Sequence, residues 1–248
     1  MSLQELEHCL MRLIYGSNKL ESAGNGLAIT ARLCKAVFRG EEVPVNIEEV
    51  PSDPYYQAHQ AHLRSHHRPT DHQHVIQLRR EIVQHARALV FMIDHIVISK
   101  EPWSEALILD AHRILQHSGL DSGVVEAGGT YRSHDCEVAK ARRYCVQAKA
   151  IPYCMKKMVR NLNRDIKQAE ERGSLDPYRL AARYRHQFVD IRPFGDGDGR
   201  MSRIILNTLL LRYAGHVSEV GLEQCDEYLR LAMRASKLLS DAAKRLAT

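Results

Sequence analysis

Residues 191–203 read IRPFGDGDGRMSR, in which three glycines alternate with two aspartates before an apolar run begins. Glycines let the backbone approach a ligand closely and turn successive N–H groups toward one point. A helix that starts directly after such a loop adds its own unpaired N–H groups and the positive end of its dipole. The sequence therefore predicts a phosphate-binding loop followed by a helix over residues 198–214.

Charged side chains of the same stretch support this prediction. Arg200 and Arg203 stand three residues apart, so both lie on one face of the first helical turn. Two guanidinium groups in that arrangement are suited to hold a polyphosphate. Asp196 can bind a divalent cation such as Mg²⁺ that shares the phosphate oxygens. Together the loop, the arginines and the aspartate indicate a nucleotide site.

The stretch resembles the signature of the Fic (Fido) domain family, in which the pattern H-P-F-x-D/E-G-N-G-R is often followed by x-x-R. The matching positions are Pro193, Phe194, Asp196, Gly197, Gly199, Arg200 and Arg203. Three upstream segments also resemble family elements. They are EALILDAHRILQHSG (105–119), similar to the helix before the flap, GGTYR (128–132), similar to the start of the flap hairpin, and YRHQFVDI (184–191), similar to the helix that leads into the motif.

A second family element lies far upstream, at residues 17–22. The segment SNKLES resembles the inhibitory motif S/T-x-x-x-E-G/N: Ser17 and Glu21 match it, and Ser22 departs from it. In family members with an N-terminal inhibitory helix, the glutamate faces the second arginine of the signature. The resemblance thus implies a pair between Glu21 and Arg203, with the carboxylate in the place of the ATP γ-phosphate.

The resemblance implies an all-α fold, a Fic-type helical domain with a short β-hairpin flap. It also implies transfer of AMP from ATP to a Ser, Thr or Tyr hydroxyl of a protein substrate. The target chain would add to the flap as a strand, and Arg203 would take the γ-phosphate. The implied contacts are Phe194, Gly197, Asp198, Gly199, Arg200 and Arg203 for the nucleotide, Asp196 for Mg²⁺, and Gly129, Thr130 and Tyr131 for the target.

Two departures from the signature fall on its chemistry. Arg192 stands where the family has the histidine that acts as general base, and Asp198 replaces the asparagine that contacts the α-phosphate. An arginine side chain stays protonated in proteins and accepts no proton, and losing a positioned base costs about 10²- to 10⁴-fold in rate. Asp198 brings negative charge toward a phosphate. The opposite charges of the two residues suggest an ion pair that fills the catalytic pocket.

Three other groups were considered as the base. His186 lies six residues before Arg192, more than one and a half helical turns away, His134 lies in the expected flap, and Asp198 is itself a carboxylate. A carboxylate with its ordinary pKa is a weak base, so the sequence singles out none of the three.

Three functions remain open from the sequence. The first is an AMP-transferase that Glu21 inhibits and Arg192 impairs. The second is a pseudoenzyme that keeps the fold and binds nucleotide or partners, and the third is a relative that uses another donor, such as a phosphocholine carrier. The retained acidic and basic site residues favour the first, whereas Arg192 with Asp198 favours the second.

Composition narrows the class of protein. The 248 residues are 44% hydrophobic and 26% charged, with net charge +5, as is typical of a globular protein. Basic residues form no long run, so they indicate a solvated surface and make a nucleic-acid partner unlikely. No secretory signal or membrane-spanning run is apparent, and six cysteines show no metal or disulfide spacing. These features predict an intracellular, cytoplasmic protein, and the family resemblance adds a homodimer as an expectation.

Helical periodicity predicts helices along most of the chain. The resemblance implies a division into an N-terminal helical region over residues 1–74, which holds the expected inhibitory helix and the histidine-rich stretch, and a Fic core over residues 75–248. Predicted helices span about residues 3–21, 27–38, 71–98, 104–117, 150–172, 176–192, 198–214 and 221 to the end, and a hairpin is predicted within residues 117–138. Six histidines lie between residues 59 and 74. Because no cysteine or paired carboxylate completes a zinc site there, an exposed linker or helix surface is the preferred interpretation.

Overall fold

The computed structural model describes residues 2–116, 128–135, 137–138, 143–144 and 146–219. Within these residues the chain forms eight α-helices. They are α1 (Leu3–Leu20), α2 (Leu27–Phe38), α3 (Pro54–Ser65), α4 (His72–Met92), α5 (Glu105–Leu115), α6 (Ile151–Glu171), α7 (Pro177–Ile191) and α8 (Asp198–Ala214). The predicted helices agree with these bounds closely, except that α3 was not predicted as a separate helix. The helix predicted from residue 221 lies outside the described residues.

Side-chain caps explain where several helices begin. Ser2 accepts from the backbone N–H of Glu5 while the Glu5 carboxylate accepts from the backbone of Ser2, which forms a capping box at α1. The Asp53 carboxylate caps α3, and Pro54 occupies its first turn. Helix α8 is different, because it starts after Gly197, whose φ of 83° lies in the left-handed region. The glycine loop therefore turns directly into α8 without a side-chain cap.

Helix α4 ends earlier than the periodicity predicts. The segment Ile93–Ile98 continues it as a π-helix, so the single predicted helix over 71–98 consists of two hydrogen-bonding patterns. π-helical turns are rare and often lie near functional sites. Here the Arg212 side chain donates to the backbone carbonyls of Ile96 and Glu101, which fastens the end of α8 to this turn.

Strand pairing among the described residues is limited to two short segments. β1 (Glu137–Val138) pairs antiparallel with β2 (Arg143–Tyr144), with Glu137 opposite Tyr144. The hairpin predicted within 117–138 falls partly on residues 117–127, which lie outside the described residues, and residues 128–135 contain turns rather than strands. A β-hairpin flap that receives a substrate stays a prediction.

One hydrophobic core joins the N-terminal helices to the helices around the glycine loop. Leu13 and Ile14 of α1 belong to the same cluster as Tyr184 and Phe188 of α7, and all four are almost completely buried. Helices α7 and α8, which flank the glycine loop, pack against each other most extensively. The loop is therefore mounted between two helices that the core holds in fixed positions.

The histidine-rich stretch comprises the end of α3, a connection and the start of α4, so the helix-surface interpretation describes most of it and the exposed linker only the connection. His59, on the buried face of α3, is the exception. Within α3, Tyr56 and Leu63 pack with residues of α4 in a second small core. His59 is only 1% exposed, and its Nδ1 lies 2.7 Å from the Asn25 amide nitrogen. Among the described residues no group of three or more His, Cys, Asp or Glu side chains is arranged to hold a metal ion.

Acid should destabilise this protein through its buried histidines. Burial, followed by the charges of Arg79 and His62, lowers the pKa of His59 to about 4, while an unfolded histidine titrates near 6.5. Between those values the unfolded chain binds more protons, so the free energy of unfolding falls as pH falls. For His59 the loss is about 2 kcal/mol from pH 7 to pH 5. The measurement is urea unfolding at a series of pH values.

A matched pair of variants isolates the His59 contribution. His59→Gln should show a pH dependence of unfolding shallower than that of the wild type by about 2 kcal/mol over the same interval. His8→Gln changes an exposed histidine of α1 and should follow the wild type. A His59→Gln profile that runs parallel to the wild-type profile would refute the burial of a neutral His59.

Candidate nucleotide site

The glycine loop begins with an unusual backbone at Arg192. This residue caps the end of α7 with φ 47° and ψ 66°, in the left-handed region that non-glycine residues seldom adopt. Its backbone carbonyl accepts a hydrogen bond of 2.8 Å from Arg132 Nε. The signature position that normally carries the base is thus fixed in its backbone, while 43% of the Arg192 side chain remains exposed.

Arg132 fastens the segment after residue 128 to the glycine loop. Its backbone N–H donates to the Pro193 carbonyl at 2.9 Å, and its side chain also donates to the carbonyls of His134 and Val146. Arg132 is only 2% exposed. The sequence did not predict this role of Arg132. The quoted segment GGTYR does end in Arg132, and an arginine that is buried needs several hydrogen-bond acceptors.

His112 of α5 forms a second bridge under the loop. Its ring lies parallel to the Phe194 ring with centroids 3.5 Å apart. The Gly129 N–H donates to His112 Nδ1 at 2.9 Å, so the proton is on Nε2, which donates to the Asp196 carbonyl at 3.0 Å. Burial lowers the pKa of His112 to about 4, in agreement with this neutral tautomer. The sequence singled out neither His112 nor its ring contact.

Arg203 carries the predicted contact with α1. Its Nη2 lies 2.5 Å from Glu21 Oε1, and its Nε donates to Ser17 Oγ at 2.7 Å. The Arg203 side chain is 4% exposed, whereas 39% of the Glu21 side chain is exposed. The structure thus places Glu21 and Ser17 against Arg203, and the inhibitory role expected for them stays a prediction. A buried guanidinium needs an anionic partner, and here a carboxylate supplies it.

The Glu21 carboxylate also closes the space above Gly199. A Cβ atom added to Gly199 would lie 2.0 Å from Glu21 Oε1. No side chain fits there while Glu21 is in place. The Glu21 carboxylate therefore lies against the first turn of α8, next to the loop that the sequence predicts to bind phosphate.

Hydrogen bonds behind α1 hold Glu21 in this position. His85 Nδ1 lies 2.8 Å from Asn18 Oδ1, one helical turn before Glu21, and His85 is completely buried. The Glu81 carboxylate accepts from the Gly24 N–H at 2.6 Å. Burial, followed by the charges of Arg200 and Arg203, lowers the pKa of His85 well below its ordinary value. A neutral imidazole therefore joins α4 to α1 one turn before Glu21.

Asp196 and Arg200 form the part of the loop that fits a metal–phosphate ligand. Arg200 Nη2 lies 3.2 Å from Asp196 Oδ2, which also accepts from Gln116 Nε2 at 2.9 Å. Desolvation opposes ionisation of Asp196, but Arg200 and the Gln116 hydrogen bond outweigh it and hold the pKa of this carboxyl below its usual range. Arg200 Nε is buried without a hydrogen-bond partner among the described residues. An ionised, 80% exposed carboxylate beside a buried guanidinium suits Mg²⁺ bound to phosphate.

Asp198 lies opposite Arg192, as predicted. Asp198 Oδ2 is 4.0 Å from Arg192 Nε, and Asp198 Oδ1 accepts from the Phe194 N–H at 3.2 Å. Burial raises the pKa of Asp198 to about 7, although the Phe194 hydrogen bond and Arg192 oppose the rise. Near neutral pH the carboxyl is therefore partly protonated, and it places less negative charge beside a phosphate than the sequence implied. An asparagine could make the same bond to Phe194.

The residues expected to contact a target have different environments. Gly129 is buried against α5, where an added Cβ would lie 2.8 Å from the Leu109 carbonyl oxygen. The Tyr131 hydroxyl donates to Glu105 at 2.7 Å. Thr130, which lies between Gly129 and Tyr131 in the chain, is exposed. Gly129 and Tyr131 thus position this segment, and their contact with a target stays a prediction. Of the other bases considered, His186 is buried within α7, and His134 is exposed.

A Fido domain-containing protein of Dictyostelium discoideum is 35% identical to this chain over 115 residues, which are 45% of this chain and 76% of that protein. The sequence model of the Fic/DOC family matches residues 102–210, which include α5, α6, α7 and the glycine loop. The chain belongs to the Fic/DOC family. The departures at Arg192 and Asp198 are therefore substitutions within a Fic/DOC signature.

Other relatives of this Fic/DOC protein match more narrowly or at lower identity. The protein adenylyltransferase Fic of Culex quinquefasciatus is 48% identical over 44 residues, which are 18% of this chain and 9% of that protein. A Fic domain-containing signaling protein from Bacteroides thetaiotaomicron superposes with a TM-score of 0.65 at 19% identity, over 94% of this chain and 75% of that one. Fic-1 from C. elegans gives 0.62 at 20% identity, over 92% and 55%. These two structures show the Fic fold.

The hydropathy of the helices shows whether any of them could cross a membrane. Among the helices that the structure describes, none combines the length and the apolar character needed to cross a bilayer.

Proposed function

We propose that this Fic/DOC protein transfers AMP from ATP to a hydroxyl group of a protein substrate. One observation carries the proposal. Arg203 is buried beside a glycine loop at a helix start, and a carboxylate oxygen of Glu21 lies 2.5 Å from it. An anion already occupies the place where the signature puts the γ-phosphate, so the site has the charge that a triphosphate requires.

Each signature residue has a role in this reaction that its geometry supports. Backbone N–H groups of Gly197 and Gly199 would bind phosphate oxygens, and the Arg200 guanidinium would pair with the same phosphates. Phe194 would hold the loop in place through its ring contact with His112. The γ-phosphate would replace the Glu21 carboxylate on Arg203. Asp196 would hold Mg²⁺, which neutralises phosphate charge when it is bound. The protein's contribution is mainly position and electrostatics.

The protein substrate would approach next to residue 192. Thr130 is exposed, and Arg132 connects the segment around it to the carbonyl of Arg192. A target chain added along this segment as a strand would bring its Ser, Thr or Tyr hydroxyl close to the α-phosphate. The hydroxyl oxygen would attack the α-phosphorus and release its proton to water, since Arg192 cannot accept it. The bond from the α-phosphorus to the oxygen of the β-phosphate would break, and pyrophosphate would leave.

Two features of the proposed enzyme keep its activity low. Glu21 excludes the γ-phosphate from Arg203, which is an autoinhibited state. Arg192 accepts no proton from the target hydroxyl, and Asp198, with its pKa near 7, is shared between Phe194 and Arg192. The alternative of a nucleotide-binding pseudoenzyme rests on Arg192 and Asp198. It predicts binding of ATP without transfer of AMP.

ATP labelled at the α-phosphate or at the γ-phosphate distinguishes transfer of AMP from transfer of the γ-phosphate. We expect the Glu21→Gly, Arg192→His double variant, incubated with Mg²⁺ and ATP, to become labelled from α-phosphate-labelled ATP and not from γ-phosphate-labelled ATP. Removing Mg²⁺ with EDTA should abolish the label, because without the cation the ionised carboxylate of Asp196 and the triphosphate repel each other and the phosphate charge is not neutralised. Asp196→Asn should reduce labelling, while Asp176→Asn, at the cap of α7 outside the loop, should not. Label from the γ-phosphate would contradict the proposal.

A further inference from the structure

One segment of this protein contains basic residues but no acidic ones. Residues 138–164 contain eight Lys or Arg and no Asp or Glu. The whole chain has net charge +5, so all other residues together carry a net charge of −3. This segment includes strand β2 and most of α6. An excess of positive charge over a short segment creates a local positive field.

On α6 these charges form a stripe along one face of the helix. Helix α6 buries Met155, Met158, Leu162 and other apolar side chains toward the core. Its outward face presents Lys156, Lys157 and Arg160, all exposed, at spacings that place them side by side. We name this face, with Lys149, Tyr153 and Arg164 at its two ends, the α6 basic stripe.

The α6 basic stripe has little compensation from nearby acids. Arg164 lies 3.1 Å from Asp165 at the far end. Among the described residues, Lys149, Lys156, Lys157 and Arg160 have no ion pair. Tyr153 is 67% exposed, although aromatic side chains usually bury most of their area. Tyr and Arg are enriched at protein interfaces, and the uncompensated cations beside Tyr153 require a partner of negative charge.

We propose that the α6 basic stripe is a docking surface for an acidic, extended segment of a protein partner. From Tyr153 to Arg164 the helix rises about 16 Å, which an extended segment of about five residues spans. A nucleic acid is disfavoured by the size of the stripe, since its five cations can neutralise fewer phosphates than the roughly 6–10 that give a strong counterion-release contribution. Alternating carboxylates opposite Lys156, Lys157 and Arg160 match the stripe in length and sign.

The stripe adjoins the proposed catalytic segment. The 3₁₀ turn Ala148–Ala150 and α6 follow β2 directly, and the Val146 carbonyl accepts from Arg132, which holds residue 192. A partner bound on α6 would thus lie next to the loop where a hydroxyl group must enter. That the partner is the substrate of transfer rests on the proposed function, whereas the docking itself does not.

Binding of an acidic probe tests the docking surface without any catalytic step. The probe is a fluorescein-labelled peptide of alternating Glu and Ala, about ten residues long, which has no hydroxyl side chain to modify. We expect the triple variant Lys156→Glu, Lys157→Glu, Arg160→Glu to bind it about tenfold or more weakly than wild type in low salt, because three pairs become repulsive. The measurement is fluorescence anisotropy without ATP.

A matched control reverses three exposed cations elsewhere. Lys35→Glu, Arg39→Glu and Arg64→Glu together change the net charge equally on α2 and α3, and this variant should bind the probe within about twofold of wild type. Circular dichroism melting verifies that both variants are folded. Equal losses in both variants, or no loss in the α6 variant, would overturn the proposal. Tighter, α6-dependent binding of a single-stranded oligonucleotide or of phosphatidylserine vesicles would overturn it as well.

Discussion

Replacing Glu21 by glycine should tighten ATP binding by about tenfold to a hundredfold. In the structure Glu21 Oε1 lies 2.5 Å from Arg203 Nη2 and blocks the space above Gly199. A hydrogen bond between charged groups contributes about 1.5–3 kcal/mol, and this interaction becomes available to the γ-phosphate once the carboxylate is removed. Calorimetric titration with ATP and Mg²⁺ measures the change. Residue 21 caps α1 from outside the helix, so glycine there is tolerated.

Two controls separate this effect from general loosening of α1. ADP lacks the γ-phosphate, so its affinity should rise less than that of ATP on Glu21→Gly. Glu42→Gly, in the exposed stretch after α2, should leave both affinities unchanged. Glu21→Gly with wild-type ATP affinity would show that Arg203 is not the γ-phosphate ligand.

Replacing Arg192 by histidine in the Glu21→Gly background should raise the rate of AMP transfer by about 10²- to 10⁴-fold. The backbone of residue 192 is held by Arg132 and by the α7 cap, so a new side chain starts from a fixed position. Histidine adopts the left-handed region more readily than most residues. Its neutral imidazole can accept the proton of a target hydroxyl, which a guanidinium cannot. The initial rate of label incorporation from α-phosphate-labelled ATP measures the gain.

Arg192→Lys in the same background is the matched control. It keeps a long cation beside Asp198 and should give no comparable gain. If transfer is as fast with Arg192 as with histidine, this site uses another proton acceptor, and Asp198 is the next residue to replace. If neither variant transfers label, the pseudoenzyme alternative is favoured.

Local patterns predicted most of the helices because these helices have an apolar stripe and several also have a start signal. The Ser104 cap and Pro177 in the first turn of α7 are examples of such signals. The buried helix α3 was missed because its histidines look polar in sequence, and only the contact with Asn25 shows that His59 belongs to the interior. A histidine has an apolar ring, so its burial depends on whether tertiary structure supplies a partner.

Some contacts of the candidate site could likewise be predicted from the sequence, and others could not. Glu21 and Arg203 stand 182 residues apart, and two short motifs were sufficient to predict their contact. Arg132 and His112 were not predicted, because they act through backbone carbonyls and a ring face. Every residue has a backbone carbonyl group. A contact with such a group therefore requires no particular residue type, and no sequence motif indicates it. The raised pKa of Asp198 depends on burial, which a loop sequence does not reveal.

The most direct test of the central claim is a crystal structure of the Glu21→Gly variant with ATP and Mg²⁺. The claim is that the loop at residues 195–200 and Arg203 form a triphosphate site that Glu21 closes. We predict phosphate oxygens on the N–H groups of Gly197 and Gly199, and the γ-phosphate on Arg203 where the Glu21 carboxylate lies now. ATP bound elsewhere, with Arg203 paired to a protein group instead, would contradict the claim.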